Sequence, residues 1–341
     1  MASIQLISDV QPIEGADSIE KVKVNDWWIV TKKGEFNVND KCIFFEIDSF
    51  LPDIPVFDFL KGGATLKRMI IDNVERTGIR LKTVKLRGQI SQGLVLKIEA
   101  FHDYEGIMSQ LAQYDLSEIG IDISGPLNVH KWEAPIPSYL TGQIKGGLPG
   151  FIPRTDEERI QNMGGILTSY YVTEKLDGTS VTYYKKDGVF GVCSRNIELK
   201  DSEGNMHWTM AKQLNLPDIL PDNMALQGEL VGEGIQKNPL KLTGQKVYFY
   251  NAYSIAKGEY LDFRGFMTIM SGLTLHPVPI IDMTFSLPNS VDALLKYAEG
   301  KSLVNPEVDR EGIVVRSKQV INGNRVSFKV ISNNYLLKDN E

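Results

Sequence analysis

A chain of 341 residues has room for about two domains of roughly 100 to 200 residues, each with its own core. Its formal net charge of −6 gives no global basic signature, so any nucleic-acid surface has to be a local patch on a mildly acidic protein. Two cysteines, Cys42 and Cys193, exclude a disulfide framework and a cysteine metal cluster and fit a reducing interior. With no secretory leader pattern and no apolar run of about 18 residues, a cytoplasmic protein is expected.

From Ile4 to about Phe101, β-type runs alternate with turn signals: Gln5 to Val10, Lys21 to Lys32, Cys42 to Asp48, Leu81 to Leu86 and Leu94 to Ile98. Gly34-Glu35 and Asn37-Val38-Asn39-Asp40 are turn material, and alternation at Trp27-Trp28 buries one ring and leaves the other outside. About five strands predict an oligonucleotide-binding (OB) barrel over residues 1–120. Within it Lys67, Arg68, Arg76, Arg80, Lys82, Lys85 and Arg87 form the one basic window, a candidate RNA-binding patch. On a single strand Arg80 and Lys82 share one face while Lys85 and Arg87 share the other, so an ordinary solvated surface is the competing reading. Gly88 to Gly93 reads as a polar loop.

Between Ile119 and Pro153 the residues Gly125-Pro126, Pro135, Pro137, Gly142, Gly146-Gly147 and Pro149-Gly150 interrupt regular structure, which predicts a linker over 121–145 and a second domain over 146–341. Arg154 to Gln161 carries a helix-start pattern, with Thr155 as cap and Glu158 closing the box.

In the second domain Glu174-Lys175-Leu176-Asp177-Gly178-Thr179 lies between two strand-like runs, Tyr170 to Thr173 and Ser180 to Tyr184, and displays one lysine at a strand-to-strand corner. Gly178 lets the backbone turn tightly and approach a ligand. The same string occurs in ordinary hairpin turns, and Lys186-Asp187-Gly188 reads as one of those. Arg195 ends the run from Val189 and offers a bidentate fork to phosphate, or is a surface charge. Glu229 interrupts the apolar run Ala225 to Gly232, and a carboxylate there needs a partner. Val247 to Tyr253 is an aromatic strand; for most of its rings core packing is the plainer role. Asp309 to Arg316 again leads from carboxylates into an apolar strand. Arg325, Ser327 and Lys329 share one face of the last strand.

In this order Lys175-x-Asp177-Gly178, Ser194-Arg195-Asn196, Gly228-Glu229-Leu230, the Phe249 strand, Glu311-Gly312-Ile313-Val314 and Lys329 resemble motifs I, Ia, III, IIIa, IV and V of the covalent nucleotidyltransferases. The match runs from about Arg154 to Ile331 and is most similar to ATP-dependent RNA ligases, in particular those with an N-terminal OB domain and no C-terminal one. Only about a dozen residues follow Lys329, too few for a further domain. Ile13 to Asp17 and Phe45 to Ser49 resemble that family's N-terminal module more loosely. The resemblance implies an α+β protein: an OB-type β-barrel followed by a nucleotidyltransferase (ATP-grasp-like ligase) domain of antiparallel sheets with flanking helices.

It further implies that Lys175 attacks the α-phosphate of ATP, holds AMP through a P–N bond, and passes it to an RNA 5′-phosphate before an RNA 3′-hydroxyl seals the strand. Glu229 would accept a hydrogen bond from the ribose, Phe249 would stack on adenine, Glu174 would face the base, and Asp177 and Gly178 would complete the nucleotide site. Glu311 and Asp177 would hold Mg²⁺ or Mn²⁺. Arg195 would engage the ribose or the RNA 5′-phosphate, and Lys329 the α-phosphate. The family's Lys-x-Lys in motif V is here Ser327-x-Lys329, with Arg325 a candidate replacement. The expected substrate is RNA with 5′-phosphate and 3′-hydroxyl ends, in a nicked duplex, acted on by a monomer. A DNA-joining or capping relative, and an RNA-binding protein with a decayed catalytic module, are the alternatives.

Overall fold

Alternating apolar residues become strands throughout the chain, and a computed structural model describes residues 1–62, 65–136, 140–159, 169–288, 290–321 and 324–338. Two compact units emerge, Met1–Ile136 and Pro137–Lys338. No helix of the described residues is long and apolar enough to cross a membrane.

In the first unit the strands are β1 (Ala2–Leu6), β2 (Asp9–Pro12), β3 (Ile19–Val24), β4 (Trp27–Lys32), β5 (Lys41–Phe45), β6 (Ser49–Pro52), β7 (Lys67–Ile71), β8 (Val74–Arg80), β9 (Val84–Leu86), β10 (Gln89–Ser91) and β11 (Leu94–Leu96). One short helix, α1 (Glu105–Leu111), and β12 (His130–Lys131) follow. Strand orders are β1-β5-β11, β2-β3-β4, β9-β10 and β12-β6-β8-β7. Registers Ala2↔Phe45, Ile4↔Ile43 and Leu94↔Phe45 align the apolar positions of three strands, so a period of two in sequence becomes one buried face.

Three expectations change here. The run Lys21 to Lys32 is a hairpin, because Asn25 takes φ +51° and reverses the chain. Within it Trp27 is fully buried while Trp28 is half-buried under Lys21, whose Nζ stands 4.6 Å from the ring centroid. Gly88 to Gly93 is partly strand: β9 and β10 pair across Arg87 and Gly88, both at positive φ. Residues 121–136, read as the start of a linker, belong to the first unit, since Ile123, Leu127 and Val129 between the glycines and prolines are buried in its core.

The second unit contains β13 (Ile144–Gly147), β14 (Glu158–Arg159), β15 (Tyr170–Lys175), β16 (Thr179–Lys186), β17 (Val189–Cys193), β18 (Ile197–Leu199), α2 (Met206–Gln213), α3 (Leu216–Ile219), β19 (Met224–Gly232), β20 (Gln245–Ser254), β21 (Glu259–Tyr260), α4 (Phe263–Gly272), β22 (Ile280–Phe285), α5 (Val291–Ala298), β23 (Gly312–Ile321), β24 (Asn324–Ile331) and α6 (Asn333–Lys338). They form a seven-stranded sheet, β13-β18-β17-β16-β19-β20-β21, and a five-stranded sheet, β14-β24-β23-β15-β22. All pairings are antiparallel except β14 with β24.

Each sheet buries one face under helices. Val181, Tyr183, Leu226, Leu230, Val247 and Phe249 meet Met210 of α2 and Phe266 and Met270 of α4. Tyr170, Val172, Ile313, Val315, Phe328 and Val330 meet Leu294 and Ala298 of α5. Alternation then sends the intervening residues of both sheets to the opposite faces, where the polar groups collect.

The helix predicted from Arg154 is absent from its described part. Residues 154–157 are irregular and Glu158–Arg159 forms β14, while Ile160 and Gln161, like Pro137 of the expected linker, lie outside the described residues. β14 joins the edge of β24, Glu158 level with Phe328 and Arg159 with Lys329, and Asp156 and Glu157, which read as a helix's first turn, are drawn into ion pairs with arginines. Gly146 and Gly147, read as breakers, pair with β18 in β13.

Candidate active site

Lys175 stands where the chain crosses from one sheet to the other: β15 belongs to the five-stranded sheet and β16 to the seven-stranded one. The corner expected from the sequence is therefore a crossing rather than a hairpin, and Leu176-Asp177-Gly178 passes directly over β19. A Cβ on Gly178 would lie 2.4 Å from the Leu230 carbonyl oxygen and 2.7 Å from Val231 Cγ1. Glycine is needed there for close approach, whatever the turn. Lys186-Asp187-Gly188, by contrast, is the plain β16–β17 turn, with Asp187 and Gly188 at positive φ.

The crossing opens on a cavity of about 290 Å³ lined by residues of both sheets, among them Glu174, Lys175, Asp177, Arg195, Glu229 and Lys329. Lys175 Nζ lies 2.6 Å from Glu311 Oε1 and 2.7 Å from Oε2. Burial pushes the pKa of Lys175 down, but Glu311, Glu229 and Asp177 push it up further, and the net direction is up. Glu229 is pushed up to about 8, by burial first and then by Glu311 and Asp177 against the opposing pull of Lys175. Glu311 is raised as well, by burial and by Asp177, with Lys175 and Lys329 opposing. Asp177 accepts from the Tyr335 hydroxyl of α6, a contact without sequence signal.

Glu174 is 1% exposed. Its Oε2 accepts from the Leu303 backbone N–H at 2.7 Å, while Oε1 has no hydrogen-bond partner among the described residues. The loop that supplies Leu303 is held by Arg310, which donates to the carbonyls of Tyr297, Ala298 and Glu299 at the end of α5. A buried carboxylate oxygen left over in a cavity wall is an acceptor awaiting a donor.

At the side of the cavity Glu157 faces two guanidiniums. Its Oε1 lies 3.0 Å from Arg325 Nη2 and 3.5 Å from Arg316 Nη2, and its Oε2 accepts from the Ser327 hydroxyl. Arg316 also donates to Thr173 Oγ1 and lies 5.5 Å from the Tyr250 ring centroid; Arg325 lies 5.3 Å from that of Tyr260. Asp156, the preceding residue, pairs with Arg195.

Most of the residues expected from the sequence thus gather around one cavity, and one changes place. Phe249 is fully buried on the helix-covered face, packed 6.1 Å from Tyr183 between ring centroids, so it cannot stack on a base in the cavity. Its neighbours Tyr248 and Tyr250 face the other way by strand alternation, and a bulge opposite Gln227 and Gly228, with Tyr250 as the extra residue of β20, resets the phase beyond it. Tyr250 lines the cavity, and Tyr248 pairs in register with Glu229 and has its pKa raised by burial and by nearby Glu174. Tyr250 is the ring that lines the cavity, and Tyr248 stands beside Glu229 and Glu174 at its edge; the motif was legible, its inward phase was not. Glu311 reaches the cavity through Lys175 rather than lining it. Arg325 stands 3.2 Å from Ser327 Oγ but is turned to Glu157, and Arg316, not singled out from the sequence, lines the cavity instead.

The basic window of the first unit does not form one strand. Lys67 and Arg68 lie on β7, Arg76 and Arg80 on β8, Lys82 between strands, Lys85 on β9 and Arg87 in the turn that follows. Arg80 is held by Asp48 at 2.7 Å and Arg68 faces Glu75 at 3.8 Å, so part of the patch is already neutralised.

A divalent metal suits the chemistry of the cavity. Asp177, Glu229 and Glu311 place three carboxyl groups around a single ammonium, and these are oxygen donors of the kind a hard cation takes; the upward shifts of both glutamates come first from burial, with the neighbouring acids adding to it. Among the described residues no three His, Cys, Asp or Glu side chains already converge as a metal cage. A Mg²⁺-type ion is ordinarily held by one or two carboxylates together with water and substrate phosphates, and Asp177 and Glu311 are the carboxylates that would supply this.

A family profile described as an OB-fold domain matches residues 1–98, which bears out the barrel expected at the N-terminus, and one described as RNA ligase matches residues 168–331. Among solved structures the chain is similar to the RNA ligase of Naegleria gruberi. A variant of that enzyme with AMP and Mn superimposes with TM-score 0.86 at 37% identity, over 100% of this chain and 99% of that one. A variant with ATP and Mn gives the same values, and the enzyme with PPi gives TM-score 0.83 at 37% identity over 98% and 97% of the two chains. No curated protein matches.

Proposed function

The chain belongs to the RNA ligase family, and from that premise we propose that it joins RNA ends by ATP-dependent adenylyl transfer through Lys175. The observation that carries the reading is Lys175 Nζ at 2.6 Å from Glu311, in a cavity whose walls hold Glu174, Glu229 and Lys329.

The carboxylates keep Lys175 charged, so the amine becomes nucleophilic only when positive charge arrives beside them and the proton leaves. The nearest acceptor is the Glu311 carboxylate, whose own pKa is raised. A bound Mg²⁺ or Mn²⁺ would neutralise phosphate charge and be held by oxygens of Glu311 and Asp177. Lys175 Nζ then attacks the α-phosphorus of ATP; a P–N bond forms and the bond to pyrophosphate breaks. Lys329, on β24 two residues from the level of Lys175 in the strand register, meets the growing charge on the α-phosphate.

Glu229 accepts from the ribose, Tyr248 stacks on the base, and Glu174 Oε1, which has no hydrogen-bond partner among the described residues, accepts from the exocyclic amine of adenine. In the second step an oxygen of the RNA 5′-phosphate takes the adenylyl group and the P–N bond breaks. In the third, the 3′-hydroxyl attacks the activated 5′-phosphate and AMP leaves. A nicked duplex is the proposed form of the RNA and a monomer the proposed form of the enzyme.

Intact-mass spectrometry after incubation with ATP and Mg²⁺ tests the reading. Wild type should gain the mass of AMP and Lys175→Ala should gain none; equal labelling of both would refute it. Nicked duplexes with RNA or DNA on the 3′-hydroxyl side separate RNA joining from DNA joining.

A further inference from the structure

Strand register sets alternate residues of β15, β23 and β24 in rows, and of these Lys175, Val314, Lys329 and Arg316 line the cavity. Lys175 is level with Gly312 and Ile331, Thr173 with Val314 and Lys329, and Tyr171 with Arg316 and Ser327. Two residues advance a strand by about 6.6 Å, so the cationic side of the cavity continues past Lys329 to Arg316 and Ser327, about 13 Å along the sheet from Lys175. Arg325 extends it one step further on the same strand face.

At that end the charges do not balance. Arg316 is buried and Arg325 partly so, with side chains 4% and 10% exposed, and they share the single carboxylate of Glu157. The Nε donors of both have no hydrogen-bond partner among the described residues, although an unpaired buried donor is costly. Two guanidiniums, two unused N–H groups and a hydroxyl turned to one anion are the furniture of an oxyanion site, and arginine forks suit phosphate. Glu157 is not part of either sheet's ladder: it reaches in from the irregular segment 154–157, beside Asp156, which covers Arg195 in the same way.

We propose that Arg316, Arg325 and Ser327 form a phosphate subsite of the cavity, and that Glu157 occupies it as an internal counter-anion until a substrate phosphate takes its place. The ligand is a phosphate oxyanion from one of two sources: the terminal phosphates of the nucleotide, or a phosphate of the RNA strand. This subsite would supply the positive charge that Ser327 lacks relative to the family's motif V lysine. The inference rests on the adenylyltransferase reading of the cavity.

Binding to the full chain tests it, with inorganic pyrophosphate as one probe and a short RNA, 5′-phosphorylated or 5′-hydroxyl, as the other. Glu157→Gln should bind at least one phosphate probe about tenfold more tightly than wild type, as expected when a competing charged hydrogen-bond acceptor is removed. The gain should vanish in Glu157→Gln/Arg325→Met. A gain confined to pyrophosphate assigns the nucleotide's terminal phosphates, and one confined to RNA bearing the 5′-phosphate assigns the RNA end. Unchanged affinity for both probes, or a gain that survives loss of Arg325, overturns the proposal; so does a fall in melting temperature without tighter binding, which marks Glu157 as a structural bridge. AMP labelling of Lys175 is read on the same samples by mass. Its failure in wild type would refute the ligase reading while leaving the anion titrations to decide the subsite.

Discussion

Glu229 makes a prediction that separates function from stability. Its carboxyl is pushed from an ordinary 4.5 to about 8, chiefly by burial beside the other acids. Between those values the folded protein keeps a proton that the unfolded chain has released, so stability falls as pH rises through this window and the cost is complete above about pH 8. At pH 7 the two and a half units above 4.5 correspond to about 3 kcal/mol, reduced to about 2 kcal/mol for a side chain only partly withdrawn from water. Replacing it by neutral, isosteric glutamine removes that cost. Glu229→Gln should therefore melt higher than wild type at pH 7 by about 4–8 °C for a cooperative unit of this size, and by little or nothing at pH 5. Lysyl-adenylate formation should nonetheless fall by about 10- to 100-fold, the worth of a hydrogen bond to a charged acceptor. Thermal unfolding at pH 5, 7 and 8.5, with AMP labelling read by mass, measures both. Parallel melting curves, or a variant less stable at pH 7, would show that the carboxyl is not strained in the fold and would remove the reason for assigning it to a ligand.

Two further outcomes follow from packing. Gly312→Ala would set a Cβ 2.2 Å from the Val330 carbonyl oxygen and 2.9 Å from Ile331 Cα, both backbone of β24, so it should cost about 3 kcal/mol and displace Lys329; an unaltered melting temperature would contradict the register. Tyr248→Ala should raise KM for ATP by about tenfold with little change in melting, whereas Phe249→Ala should lose about 3–5 kcal/mol of stability; the reverse pattern would return the stacking role to Phe249.

Much of this protein was legible because its chemistry is local. Lys175, Asp177 and Gly178 are neighbours in the chain, and the motifs around Glu229, Glu311 and Lys329 keep their order along it, so the resemblance to the covalent nucleotidyltransferases could be drawn from linear order, and the fold brings these residues together around one cavity. Strand runs were likewise readable from a period of two, and Val189–Cys193 falls where the pattern puts it. What the pattern cannot carry is phase and pairing. Alternation says that Tyr248 and Phe249 face opposite ways, but which face is covered by helices depends on α2 and α4, and a one-residue bulge in β20 resets the count. That Leu176-Asp177-Gly178 crosses between sheets, and that Gly178 is required by the Leu230 carbonyl, follows only once β19 lies beneath it.

The acids at 156 and 157 were read as the first turn of a helix because charge near a cap favours that locally. In the folded chain Glu157 is bound instead by Arg316 and Arg325 of β23 and β24, about 160 residues away in sequence, and Asp156 by Arg195, so long-range ion pairs outweigh the weak local preference. The linear chain therefore determined which chemically capable groups are present and in what order, whereas the pairing of strands in two sheets decided which of them meet, at what charge, and with what counter-ion.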